Sequence, residues 1–127
     1  MNAFLTQSFT PKKLNGLALK NRFIKAGTFE GMSPQSAVSS ALCNFHGRIA
    51  DGGVAMTTIG YCAIENDGRL HENMLYMHEG IRNDLSTLIN TLHSKDCKVS
   101  GQMGYGGGFS KNRYRQRKRP LGPSFGI

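Results

Sequence analysis

Ala50-Asp51-Gly52-Gly53-Val54-Ala55-Met56-Thr57-Thr58-Ile59 is the stretch whose reading decides the fold. Gly52-Gly53 stops a preceding helix, because glycine takes the left-handed conformation of a helix end without a Cβ penalty. Val54 to Ile59 then reads as a buried strand, since β-branched and apolar side chains crowd it. Upstream, Val38, Ala41, Leu42, Phe45 and Ile49 recur at spacings of three and four, which is one helical face. Ser39 is placed to cap that helix. Gly47 weakens it by about 1 kcal/mol relative to Ala. Further upstream, Arg22-Phe23-Ile24-Lys25-Ala26 reads as a short strand, followed by a loop that Gly27 and Gly31 bracket and that ends near Pro34. Lys13-Leu14 and Leu17-Ala18-Leu19 flank Asn15-Gly16, the pair a two-residue type I′ hairpin turn favours.

Downstream of the strand, residues 60–80 read as irregular. Leu85, Leu88, Ile89 and Leu92 form a second apolar stripe, so a helix is expected over 81–95. Lys98-Val99-Ser100-Gly101-Gln102-Met103 reads as a third strand. The order is hairpin, β, α, β, α, β, an α/β pattern of parallel strands joined by right-handed helical crossovers. Parallel sheets need both faces covered or closure into a barrel. Three strands do neither well, so a part of a larger barrel is expected.

Composition narrows the function classes. The chain has 127 residues, enough for one ordinary domain, and a net charge of +8. The charge is uneven: residues 1–110 hold ten basic and eight acidic side chains, whereas 111–127 hold six basic and none acidic. A nucleic-acid reading therefore rests on residues 111–119 alone, Lys111-Asn112-Arg113-Tyr114-Arg115-Gln116-Arg117-Lys118-Arg119, with cations for phosphates and Tyr114 for stacking. The competing reading is a solvated surface loop. Cys43, Cys62 and Cys97 are odd in number and lack CxxC spacing, which excludes a disulfide scaffold or zinc ribbon and fits a reducing, cytoplasmic compartment. No apolar run approaches the roughly 18 residues of a membrane span, and no secretion pattern opens the chain.

Several short motifs in order carry a family resemblance. Phe9-Thr10-Pro11 with Asn15-Gly16-Leu17-Ala18-Leu19-Lys20-Asn21-Arg22 resembles the opening of the Old Yellow Enzyme family of NADH:flavin oxidoreductases and ene-reductases. Ala26-Gly27-Thr28-Phe29-Glu30-Gly31-Met32 is similar to its S-A-T-x-E-G-M strand–loop junction. Ala50-Asp51-Gly52-Gly53-Val54 resembles its A-x-G-G-V lead into the second strand. Ile59-Gly60-Tyr61 with Gly68-Arg69 resembles its T-G-A…G-R stretch. Ser100-Gly101-Gln102-Met103-Gly104-Tyr105-Gly106-Gly107 is similar to its Q-L-G-H-A-G-R segment, and Pro120-Leu121-Gly122-Pro123-Ser124 to the loop after it. The resemblance implies a partial (β/α)8 TIM barrel: the first three β/α units, preceded by an N-terminal hairpin that would plug the barrel bottom. Residues 1–127 are then the N-terminal portion of an FMN-binding barrel, with a basic loop at 108–127 and the remainder of the barrel absent. Complete barrels of this kind take about 250 residues.

The same resemblance implies FMN as cofactor, NADH or NADPH as reductant, and a small-molecule electron acceptor such as an electron-poor alkene. The implied flavin contacts are Ala26, Gly27, Thr28, Phe29, Gly60 and Gln102. A TIM barrel works at the C-terminal ends of its strands, where these six fall. A primary amide supplies donors and an acceptor in one plane, which suits the pyrimidine edge of a flavin, so Gln102 is the expected ring contact. Gly60 lacks a Cβ and lets backbone approach a planar ring. Phe29 stands where many relatives have Thr or Cys, so tuning falls to backbone or stacking. Tyr105 replaces a His and Gly107 an Arg or Pro, which bears on substrate class. No residue here is expected to be the proton donor or the carbonyl clamp. The family's later paired-His or His-and-Asn motif is not in the sequence.

Other candidates reduce to structure. Cys43 and His46 are spaced like ligands, but two are too few for a metal; the expectation is a buried thiol beside a surface imidazole. Asp67-Gly68-Arg69 reads as a loop turn, His71 and His78 as solvated, and Met74, Tyr76 and Met77 as loop packing. Gly104 to Gly108 lacks both GxGxxG and GxxxxGK[ST], so a mononucleotide loop is excluded. No membrane partner is expected, and the open sheet edge leaves room for a second copy of the chain.

Overall fold

The computed structural model describes residues 3–113, 116, 119, 121 and 122. A short helix, α1 (Ala3–Ser8), leads into a hairpin of β1 (Lys12–Leu14) and β2 (Leu17–Leu19). Its turn is the expected one: Asn15 and Gly16 both take positive φ, 46° and 90°, between the paired Leu14 and Leu17. A second sheet follows in the order β3 (Ile24–Lys25), β4 (Met56–Ala63), β5 (Lys98–Gly104), all parallel. Helix α2 (Ser40–Asp51) crosses from β3 to β4, and α3 (Arg82–His93) from β4 to β5.

Local chemistry sets the boundaries. The Ser39 hydroxyl accepts the Leu42 N–H at 3.1 Å and donates to the Met32 carbonyl, capping α2 as the sequence suggested. Gly53 ends the turn after α2 at φ +90°, open only to glycine at low cost. The cap places Val38 ahead of α2, so Val38 packs from the incoming loop and not from the helical face. The buried stripe is Leu42, His46 and Ala50, at intervals of four. Strand β3 pairs over only two positions, Ile24↔Met56 and Lys25↔Thr57, shorter than the expected strand. Strand β4 instead runs past Ile59 to Ala63, so the start of the expected irregular stretch is strand.

The two helices cover one face of the sheet. Leu42, Ala50, Ile59, Cys62, Leu75, Ile81, Leu88, Leu92 and Cys97 form the core there. Thr57 meets His46 of α2, so that side of β4 faces the helices, whereas Thr58 hydrogen-bonds Ser100 of β5 at 2.7 Å on the opposite face. At the N-terminal ends of the strands, Asn21 Nδ2 donates to the Gly53 carbonyl at 2.7 Å and Lys20 Nζ to the Lys95 carbonyl at 2.8 Å. These bonds tie the hairpin to the bottom of the sheet.

Beyond β4 the chain folds back beside it. Ala63 N–H donates to Leu75 O, and Met77 N–H to Ala63 O. Arg69 is the organiser of this loop. Its guanidinium is buried, donates to Glu72 O at 2.9 Å and Asn66 Oδ1 at 2.6 Å, and lies 5.3 Å from the Tyr76 ring centre. The segment after β5 docks on it: Ser110 Oγ donates to Arg69 O and Asn112 Nδ2 to Asn66 O. Arg69 is therefore a structural side chain, in line with the loop reading. Tyr114, Arg115, Arg117 and Lys118 of the basic segment lie outside the described residues. Among the described residues no helix is long and apolar enough to cross a membrane.

Candidate functional site

Parallel strands aim their C-terminal ends at one rim; of the six residues singled out in the sequence, Ala26, Gly27, Thr28 and Phe29 follow β3 directly, while Gly60 lies within β4 and Gln102 within β5. The structure brings four of them into two contacts. A Cβ on Gly27 would lie 2.6 Å from Gln102 Oε1, so the β5 glutamine lies directly over the backbone after β3. A Cβ on Gly60 would overlap the Thr28 carbonyl oxygen. Gly60 is thus required by close approach of backbone within the chain itself, whereas the neighbour at Gly27 is the movable end of the Gln102 side chain. Ala26 and Phe29 flank these contacts and are exposed.

A kink in β4 shapes the rim. The β4–β5 register slips between Ile59 and Cys62, and Tyr61 takes φ +51°, a left-handed conformation that a bulky side chain enters only when its surroundings force it. The kinked Tyr61 N–H points to Gln102 Oε1 at 3.4 Å. Gln102 is exposed, and its amide nitrogen carries two more donors. Phe29 meets Tyr61 edge-on at 6.1 Å between centroids and His71 at 5.9 Å, so an aromatic cluster borders the amide.

Beneath the rim is a buried polar cluster that sequence reasoning missed. Glu30 is 4% exposed at its side chain; its Oε1 lies 2.5 Å from Lys25 Nζ, and both its oxygens accept the Gly60 N–H at 3.2 Å. Lys25 also donates to Thr58 O at 2.9 Å and lies 5.3 Å from the centre of the Phe45 ring. His46 Nδ1 lies 2.8 Å from Thr57 Oγ1, and Nε2 lies 3.6 Å from Glu30 Oε1 with no hydrogen-bond partner. Burial pushes the His46 pKa below its ordinary value, with Glu30 opposing and Lys25 adding to the shift. The expected surface imidazole is therefore fully buried, and the expected buried thiol of Cys43 is half-exposed, because α2 turns its 42–46–50 stripe inward. That interval of four through Leu42 was the available signal.

All three thiols have raised pKa values. Burial pushes Cys62 up to about 11, with Glu30 adding, and burial is also the main cause that raises Cys43 and Cys97. Among the described residues no cluster of three or more His, Cys, Asp or Glu can hold a metal.

Three parallel strands with one face covered by helices and a polar C-terminal rim define part of a TIM-barrel scaffold. The sequence matches the NADH:flavin oxidoreductase / NADH oxidase family over residues 7–126, and the chain belongs to that family. It is 40% identical over 116 residues to a 4,4'-dithiodibutanoate disulfide reductase from Rhodococcus erythropolis, covering 91% of this chain but 28% of that protein. Among solved structures, Old Yellow Enzyme from Pichia sp. AKU4542 superposes with TM-score 0.76 at 15% identity, over 82% of this chain and 28% of that one. Morphinone reductase in complex with tetrahydroNAD gives 0.74 at 20% identity, over 81% and 28% respectively. These likenesses establish the partial-barrel fold. The chain thus spans less than a third of the length of these proteins.

Proposed function

We propose that this chain supplies the ring-facing rim of an FMN-dependent oxidoreductase. The observation that carries the reading is the exposed Gln102 amide at the end of β5, set over Gly27 and bordered by Tyr61 and Phe29. The residues fit the cofactor. Gln102 would donate through Nε2 to ring carbonyls and accept through Oε1, which also takes the long Tyr61 N–H bond. Ala26, Gly27 and Thr28 lend backbone groups to the ring, Phe29 lends an aromatic face, and Gly60 admits the Thr28 backbone that shapes the rim. The chemistry a bound FMN would supply here is relay of a hydride from NADH or NADPH to a small-molecule acceptor. The family and the tetrahydroNAD complex of a structural neighbour support that reductant. The name of the Rhodococcus relative supports an organic disulfide as acceptor, beside the electron-poor alkene. Three free cysteines support a reducing, cytoplasmic compartment.

The chain spans 28% of the Rhodococcus relative, so by itself it is expected to leave NADH unconsumed. Flavin contact is tested without turnover. Titrating the 15N-labelled chain with FMN, and separately with riboflavin, should shift the Gln102 side-chain amide and the 26–29 backbone amides alike. Riboflavin lacks the phosphate, so shifts seen with FMN alone would assign binding to the basic segment and contradict the reading.

A further inference from the structure

The family reading assigns the rim but leaves the buried Lys25–Glu30–His46 cluster beneath it without a role. We propose that Glu30 is a positioning residue: its carboxylate clamps the Gly60–Tyr61 kink and thereby fixes the Gln102 amide.

The clamp begins at Lys25. Its ammonium, 14% exposed, lies 2.5 Å from Glu30 Oε1 and also donates to the Thr58 carbonyl of β4. This anchors the Glu30 carboxylate to the strand one turn of pleat below the kink. Both carboxylate oxygens then accept the Gly60 N–H. On that side of β4 the partner strand β3 pairs only through Lys25, so the Gly60 N–H goes to the carboxylate in place of a ladder bond. A hydrogen bond to a charged acceptor is stronger than a ladder bond, which is what holding Tyr61 at φ +51° requires. The kink turns the Tyr61 N–H to Gln102 Oε1. The chain of contacts is therefore Lys25 to Glu30, Glu30 to Gly60, Tyr61 to Gln102, across three strands and one loop.

Other groups face the carboxylate and define its surroundings. His46 from α2 presents Nε2 at 3.6 Å, and the Cys62 thiol of β4 is buried near enough for Glu30 to raise its pKa. Glu30 does not face the rim: its side chain is nearly fully buried while Gln102 is exposed. It acts through the backbone of β4.

The proposal rests on the flavin reading only for its consequence; the coupling from Glu30 to Gln102 is testable in the free chain. Glu30→Gln removes the charge, and Lys25→Met/Glu30→Gln also removes the ammonium that would otherwise be stranded. In both variants Gly60 amide exchange should quicken about tenfold, the loss expected for a charge-assisted hydrogen bond. The Tyr61 amide and the Gln102 side-chain amide should shift with it, while α3 amides stay put. Riboflavin should bind about fivefold more weakly, as expected of a misplaced amide donor. Unchanged Gly60 exchange in the double variant overturns the clamp. A Gly60 change with an unmoved Gln102 amide overturns the positioning role and leaves Glu30 as packing. If neither variant folds, acid titration of the parent decides: the Gly60 and Gln102 amide signals should follow the 13C carboxyl signal of Glu30 with one midpoint, and independence from it overturns the proposal. If riboflavin shifts nothing in the parent, the flavin reading fails, and the exchange and titration results still judge the clamp.

Discussion

The two faces of the three-stranded sheet carry opposite chemistry. The face toward α2 and α3 is dry: Leu42, Ile59, Cys62, Leu88 and Leu92 are all at most 3% exposed. The other face presents Ile24 at 45% exposure, the Thr58–Ser100 hydroxyl pair and the exposed Gln102. A parallel sheet is stable with both faces covered, and here one of them is. Packing against the helices therefore supplies most of the folding energy, while the uncovered face carries exposed polar groups.

Substitutions on the two faces should separate sharply. Leu92 is fully buried under the helices, so Leu92→Ala should cost about 2–5 kcal/mol and lower the unfolding midpoint most. A Leu92→Ala chain that melts like the parent would deny that this face is the core. Next in size is the pH response of the buried imidazole. The folded-state pKa of His46 lies below its ordinary 6.5, so the unfolded chain takes up the proton first. Its share of stability is present above that value and is lost as pH falls from there through the lowered folded-state pKa. Urea midpoints at pH 7.5 and 5.5 should differ more in the parent than in His46→Leu; equal differences would contradict the burial. On the open face, Thr58→Val keeps the shape and leaves the Ser100 hydroxyl able to reach water. It should cost about 1 kcal/mol or less, read by the same melts. A cost matching Leu92→Ala would erase the contrast between the faces.

How much of this was legible follows the same divide. The capping serine, the Asn15-Gly16 turn, the Gly52-Gly53 stop and the β-branched run of β4 are local signals, and the structure carries each. The rim positions of Gly27, Gly60 and Gln102 followed from a short motif once strand ends were placed. The polar cluster was not legible, because it joins Lys25, Glu30, His46 and Gly60 from four separate segments. A histidine within an apolar helix reads as a surface residue until the direction of its face is known. The kink was hidden too: tyrosine is a poor left-handed residue, and no local signal marks Tyr61 for a φ of +51°. For Gly60 the structure adds a reason the sequence did not show, access for the Thr28 carbonyl.

The most direct test of the account is Gln102→Leu, followed by flavin titration against the parent chain. The substitution keeps the volume, removes the donors and the acceptor, and touches nothing in the helix-covered core. Lost hydrogen bonds to the ring edge amount to about 1–3 kcal/mol, so FMN and riboflavin should both bind roughly 5- to 150-fold more weakly. Flavin affinity equal to that of the parent would contradict the placement of Gln102 against the cofactor, and with it the assignment of this rim.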